Sequence, residues 1–239
     1  STSERVKTMS LYRITPDKLE SVPETTFAAE DLLECRDLQR LLRENISVLA
    51  KESGEDLMVI AEEFSNWQNS KRRIDLLCLS KDAGLVVVEL KRDENGGHSE
   101  LQALRYAAMV SAMTLDQAIQ TYAKTMGGDL EIARKDVFDF LGMEEEDEPA
   151  LSGLVKILLV AADFSIEITT SVLWLNRQGL KISCIRARPY DNAGSVMVDI
   201  TQILPLKEAS DYEEKLREQE REKRKASGPG NSVCERYWA

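Results

Sequence analysis

The chain is poor in the features that would anchor, staple or obviously metallate it. No stretch of its 239 residues approaches the roughly 18 uninterrupted apolar residues of a membrane span, so no helical span is expected. The opening residues STSERVKTMSLYRI lack the apolar run of a signal peptide, and no secretion signal is expected either. The four cysteines, Cys35, Cys78, Cys184 and Cys234, form no CxxC pair, and two lie in apolar, strand-like runs. That pattern speaks for reduced structural thiols in a cytoplasmic protein rather than for a disulfide framework or a zinc site. The lone histidine, His98, cannot build a histidine-based metal cluster. Positive charge is also scarce: 31 Lys and Arg face 42 Asp and Glu, a net charge of −11, which counts against bulk attraction to nucleic acid or anionic lipid. Part of that deficit is local, in the loop-like run Glu144-Glu145-Glu146-Asp147-Glu148, so a basic groove elsewhere stays compatible with it. There is no internal repeat.

What the chain does have is a core's worth of apolar residues, 43% of the total, arranged in alternating patterns. Leu38, Leu41, Leu42, Ile46 and Leu49 recur at helical spacing over 31–50. LMVIAEEF (57–64) reads as a strand, and strands near 74–80 and 84–90 form a hairpin. After the breaker ENGG, helices are expected over about 99–112, 114–126 and 129–142. GLVKILLVAA (153–162) has the unbroken apolar run of a strand buried on both faces. A helix over about 166–176, with Trp174 in the core, and strands over 180–188 and 195–200 complete an α/β pattern, a mixed central sheet flanked by helices. Residues 207–225 interleave acidic and basic side chains with almost nothing apolar, as in a solvated or coiled-coil-like charged C-terminal helix. Residues 1–30 read as an N-terminal arm. A sheet edge and the C-terminal helix are the surfaces through which a homodimer would form.

The hairpin RRIDLLCLSKDAGLVVVELK (72–91) poses the functional question, because charged groups are seldom buried without partners. With its turn centred on Asp82, residue 79 pairs with 85, 77 with 87, and Asp75 with Glu89. Side chains alternate faces along a strand, so Asp75, Glu89 and Lys91 share one face, with the two carboxylates about 4.5–5.5 Å apart at Cβ. Like charges directly opposite destabilise a sheet, so a positive group belongs between them: Lys91, or a divalent cation. Mg²⁺ is usually held by one or two carboxylates with waters and substrate phosphate, which is what this pair offers. Lys91 would then orient or activate a water and stabilise developing negative charge. The competing account is an ordinary surface ion pair at a strand end.

The pattern D-x13-E-x-K, followed by LQALRYAAMV, resembles the PD-(D/E)XK nuclease superfamily, and most closely the catalytic domain of NucS-type and RecB-like endonucleases. There a Gln-x-x-x-Tyr motif sits on the helix after ExK, and Gln102 and Tyr106 match it. The resemblance is good over 31–112 and looser to about 205; no amino-terminal DNA-binding domain is evident. It implies a restriction-endonuclease-like core over 31–205, followed by the charged helix and tail (206–239). It further implies a metal-dependent DNA endonuclease of repair or defence, with Mg²⁺ or Mn²⁺ on Asp75, Glu89 and the Leu90 carbonyl. Lys91 would position water, and Gln102 and Tyr106 would orient Lys91 or the substrate strand. The alternative is a catalytically inactive module of the same fold that binds nucleic acid or protein.

The superfamily commonly adds a glutamate from the first helix. On a rough wheel Glu34 falls at the margin of the apolar face and Glu44 points well away, which favours Glu34; its other reading is a solvated first-turn acid. Gln102 also fits a capping box opened by Ser99. Arg72, Arg73 and Arg92 flank the hairpin, where they would contact phosphate or pair with Glu62 or Glu63. Either of those glutamates is a further candidate for the metal shell. Trp67 would stack on a base or on the sheet, and His98 reads as a loop residue rather than a general base.

Overall fold

The computed structural model describes residues 10–32, 37–65, 73–91, 99–144 and 150–206, together with Lys215 and Gln219. The chain divides into two units, Ser1–Leu204 and Pro205–Ala239. In the second, Lys215 and Gln219 are helical. Glu34, Trp67, Arg72, Arg92, His98 and most of the charged C-terminal segment lie outside the described residues.

The first unit contains β1 (Leu11–Ile14), β2 (Leu19–Val22), α1 (Gln39–Glu44), α2 (Ile46–Ser53), β3 (Leu57–Phe64), β4 (Ile74–Ser80) and β5 (Leu85–Lys91). There follow α3 (Ser99–Val110), α4 (Leu115–Thr125), α5 (Leu130–Leu141), β6 (Val155–Ala161), α6 (Ile166–Arg177), β7 (Lys181–Asp191) and β8 (Val196–Leu204). A six-stranded sheet runs β3-β4-β5-β6-β7-β8; its central strands β5, β6 and β7 are parallel and the outer pairings antiparallel. The mixed α/β architecture expected from the pattern is the one found.

Alternation along β4 and β5 sorts their side chains cleanly. Leu77, Leu79, Leu85 and Val87 join a core under α3, α4 and α5. Leu76, Cys78, Val86, Val88 and Leu90 join a second core with Leu38, Leu42 and Leu49 of α1 and α2. Most of these side chains are wholly buried, each contributing about 1.5–3 kcal/mol relative to exposure. A third cluster joins Ala103 of α3 and Ile168 and Val172 of α6 to β6 and β7.

Three details differ from the sequence expectation. The helix expected across 31–50 is broken at Asn45, whose φ of −125° and ψ of 45° leave helical space, while its side-chain amide donates to the Leu41 carbonyl. Trp174 is 60% exposed, not core. The buried stripe of α6 is Ile168, Val172 and Asn176, four residues apart, and Trp174 stands about 200° round the helix from Val172. Asn176 is there because its amide exchanges two hydrogen bonds of 2.8 Å with the main chain of Ile182. Finally, β1 and β2 form a hairpin that left no sequence signal, since Ile14 and Leu19 are exposed and no buried face imposes a period. The segment after it is integral to the fold: Phe27 is 2% exposed, and Glu24 forms an isolated bridge to Tyr190 and an ion pair of 3.2 Å with Arg188.

Candidate active site

The expected register is observed where it can be read. Leu77 pairs with Val87 and Leu79 with Leu85, and the ladder continues to Leu76 and Val88. One residue further the ladder gives way to a side chain: the Leu90 amide donates to Asp75 Oδ2 at 2.7 Å. Main-chain groups alternate sides along a strand, so the Leu90 carbonyl lies on the same edge of β5 as its amide, towards Asp75.

Glu89 follows Val87 on the face covered by α3, and its side chain is completely buried. Its Oε1 accepts two hydrogen bonds, from Lys91 Nζ at 3.0 Å and from Gln102 Nε2 at 2.6 Å. The same Gln102 amide donates to Tyr106 Oη at 3.2 Å. Both partners come from α3 because positions four apart share a helical face. Gln102 therefore turns to the sheet, and it meets Glu89 rather than Lys91. Tyr106, 2% exposed, is buried too deeply to touch a substrate strand; it positions Gln102. Lys91 keeps 26% of its side-chain surface in contact with solvent, and Asp75 is half-buried. Among the described residues the cluster is thus covered on the α3 side, and solvent reaches it at Lys91 and Asp75.

The remaining candidates divide. Glu44 pairs at the surface with Arg40 and Arg43. Glu62 bonds Arg43 at 2.6 Å, which takes it away from Asp75. Glu63 lies 3.8 Å from Arg73, so Arg73 carries the alternative expected for it, an exposed ion pair. Among the described residues no three His, Cys, Asp or Glu side chains converge to hold a metal ion, and the further carboxylate expected from Glu62 or Glu63 is not supplied. Glu34, Arg72 and Arg92 lie outside the described residues. The donors that are in place, Asp75, Glu89 and the Leu90 carbonyl, are all hard oxygens, and two carboxylates suffice for Mg²⁺ bound partly through water. The set fits such an ion.

One residue of the site was missed. Gln39 of α1 is 3% exposed and donates from Nε2 to the Asp75 carbonyl at 3.2 Å. Its only sequence signal is a polar side chain between two core leucines, Leu38 and Leu42.

A second charged cluster sits at the other end of the sheet. Lys156, 6% exposed at the start of β6, bonds Glu55 at 2.6 Å and Asp82 at 2.9 Å. Ser80 Oγ donates to Asp82 Oδ1 at 2.5 Å and lies 3.0 Å from the Gly84 carbonyl oxygen. Burial alone would lower the Lys156 pKa, but Glu55 and Asp82 outweigh it and hold it above the usual lysine value. Burial would raise the Asp82 pKa, yet Ser80, Lys156 and the Gly84 main chain hold it below the usual range. Every member is satisfied, as in a structural staple.

No protein-family model matches the chain, and no curated protein sequence does. Among solved structures it is similar to a repair endonuclease from Pyrococcus abyssi, at 19% identity and a TM-score of 0.34, over 62% of this chain and 45% of that one. It is also similar to EndoMS in complex with dsDNA, at 16% identity and a TM-score of 0.34, over 62% and 43%. The chain thus spans less than half the length of either. Likeness of this degree identifies neither fold nor function, and only the side-chain geometry bears on both.

Proposed function

We propose that the chain is a Mg²⁺- or Mn²⁺-dependent DNA endonuclease, a phosphodiester hydrolase of the nuclease-like α/β type. The observation that carries this reading is the union, on one sheet face, of Asp75, Glu89 and Lys91 with the Gln102 and Tyr106 pair behind them. A buried carboxylate fixed by two donors is costly unless its position matters. Asp75, Glu89 and the Leu90 carbonyl would hold the ion. When bound it would supply charge neutralisation at the phosphate and a more acidic water.

The chain's own residues do the rest. Gln102 holds the Glu89 carboxylate in one rotamer, and Tyr106 holds Gln102. The Leu90 amide fixes Asp75, so both acids are set before substrate arrives. Lys91, the solvent-facing cation of the cluster, orients the attacking water and faces the negative charge that gathers on the phosphate.

The test is a titration of Mn²⁺ or Mg²⁺ against thermal unfolding, followed by cleavage assays on single-stranded, duplex and branched DNA. At a hundred times Kd a single ion stabilises by about 2.7 kcal/mol, roughly 5–11 °C for a unit of this size. The shift vanishes in Asp75→Asn. Cleavage without metal, or cleavage that survives Glu89→Ala, would refute the proposal. A second reading, a non-catalytic module of the same fold, is favoured by the net charge of −11; it predicts no metal-dependent shift.

A further inference from the structure

We infer that Arg186 binds a second phosphate of the DNA strand, close to the bond that is cut, an assignment that rests on the nuclease reading above. The register of the parallel strands gives its place. Lys91 of β5 pairs with Ala161 of β6, and Ala161 pairs with Arg186 of β7. Partners in a ladder point to the same face, so these three residues form one row across the sheet. The preceding row on that face is Glu89, Leu159 and Cys184. Leu159 and Cys184 are buried there with Ala103 of α3 and with Ile168 and Val172 of α6. Two residues on, at the carboxyl ends of the strands, the same face changes from apolar to Lys-Ala-Arg. Open α/β sheets bind their ligands at that end.

The two arginines of β7 on this face differ in what surrounds them. Arg188 is 3% exposed and lies 2.9 Å from Asp163 and 3.2 Å from Glu24. Matched by two carboxylates and too deeply buried to touch a substrate, it ties Glu24 and Asp163 to β7. Arg186 is half-buried and keeps part of its surface in solvent. Its partner on β8 is the uncharged Thr201, whose hydroxyl donates to Asp199 at 2.9 Å. On the other side only the methyl group of Ala161 stands between it and Lys91 in the row. Two strand spacings put Lys91 and Arg186 about 10 Å apart at Cα. That span covers neighbouring phosphates, which follow each other about every 3.4 Å along the axis of one strand. A guanidinium carries five donors in a fork that fits phosphate, so partners of its own within the fold are compatible with a phosphate outside it.

The experiment measures binding of a labelled DNA duplex by fluorescence anisotropy, without divalent metal, over about 50 to 200 mM salt. It compares wild type, Arg186→Gln, Arg186→Lys and Lys181→Gln, with the melting temperature of each followed in parallel. Lys181 is an exposed cation at the opposite end of the same strand and serves as the control. Arg186→Gln is expected to bind about five- to tenfold more weakly, with the slope of log K against log salt smaller by about one. Arg186→Lys keeps the slope and loses about threefold in affinity with the fork; Lys181→Gln keeps both. An unchanged slope in Arg186→Gln overturns the inference, above all beside a lowered melting temperature, which assigns Arg186 to the fold. An equal change in Lys181→Gln overturns it too. Should Arg186→Gln fail to fold, Arg186→Lys decides: its deficit disappears when one particular phosphate is replaced by methylphosphonate, and a deficit that persists at every position overturns the inference. If binding depends on Arg186 as expected but wild type cleaves nothing with Mn²⁺, the phosphate contact stands and the nuclease reading falls. If wild type cleaves and the slope ignores Arg186, the inference alone falls.

Discussion

Replacing Glu89 by Gln separates what this carboxylate does for the fold from what it does for chemistry. Its side chain is fully buried and its Oε1 lies 3.0 Å from the Lys91 ammonium. At an effective dielectric of about 20 that attraction is worth about 5 kcal/mol. Against it stands the desolvation of a buried ion, several kcal/mol after relaxation. Lys91, partly solvated, does not become a stranded buried charge when Glu89 is neutralised. The two contributions nearly cancel, and an amide oxygen in place of Oε1 still accepts from Gln102 and Lys91. Glu89→Gln should therefore unfold within about 1 kcal/mol of wild type, a shift of roughly 2–4 °C at most. Glu89→Leu removes the acceptor as well and leaves the Gln102 amide short of a partner, at about 1–3 kcal/mol. Both should lose more than a hundredfold in cleavage rate, beyond the roughly 10–100-fold typical of indirect partners of a metal. Urea unfolding and a timed assay on labelled DNA measure the two quantities. Glu89→Gln cleaving at the wild-type rate, or Gln and Leu variants of equal stability, would refute the reasoning.

The staple at the other end of the sheet should behave oppositely, with stability responding and cleavage not. Glu55→Gln or Asp82→Asn alone leaves Lys156 one carboxylate and should lower stability by about 1 kcal/mol, whereas the double variant strands a buried ammonium and should lose about 3–5 kcal/mol; additive small losses in urea unfolding would contradict this. Because the folded Asp82 pKa lies below its ordinary value of 3.8, its stabilisation is full above that pH and is lost as pH falls through the folded value. Because the Lys156 pKa lies above 10.5, its contribution is full below that pH and is lost as pH rises through the folded value. The stability gap between wild type and Asp82→Asn should thus be flat across neutral pH and close below pH 3.8. Burial pushes the Cys78 thiol up to about 12, so the peptide carrying Cys78 should stay unmodified by iodoacetamide in native protein at pH 8 and react after denaturation; native labelling would show that the strand opens.

The hairpin carried most of the information about the site because a two-residue period and one turn fix which side chains face each other. That arithmetic located Asp75, Glu89 and Lys91 on one face, and the observed pairs Leu77–Val87 and Leu79–Leu85 follow it. The i, i+4 spacing placed Gln102 and Tyr106 together, but not their target. Spacing cannot say that α3 sits low enough for Gln102 to bond the buried Glu89 and not Lys91. Elements with one buried face were legible; β1 and β2, with little burial on either face, were not. Trp174 misled because its neighbours in sequence, Val172, Leu173 and Leu175, are apolar, whereas the buried stripe of the helix passes through Ile168, Val172 and Asn176 and leaves Leu173 and Trp174 exposed. Gln39 was invisible because its contact with the Asp75 carbonyl joins α1 to β4 across 36 residues of sequence, which a local pattern does not encode.

Of the three buried charged residues among the described part of the sheet, Glu89, Lys156 and Arg188, Lys156 at one end of the parallel strands and Glu89 at the other have surroundings that argue different purposes. Lys156 has a carboxylate on either side, and its partner Asp82 is itself bonded by Ser80. That arrangement pins the β4–β5 turn to the start of β6. Glu89 is held by one neutral amide and one cation that keeps contact with water, next to the half-buried Asp75. It lies at the carboxyl ends of the parallel strands, where open α/β sheets bind their ligands. Lys91 and Asp75 are the members of this cluster that solvent reaches, and it is there that the phosphate and cation of the proposed reaction would have to bind.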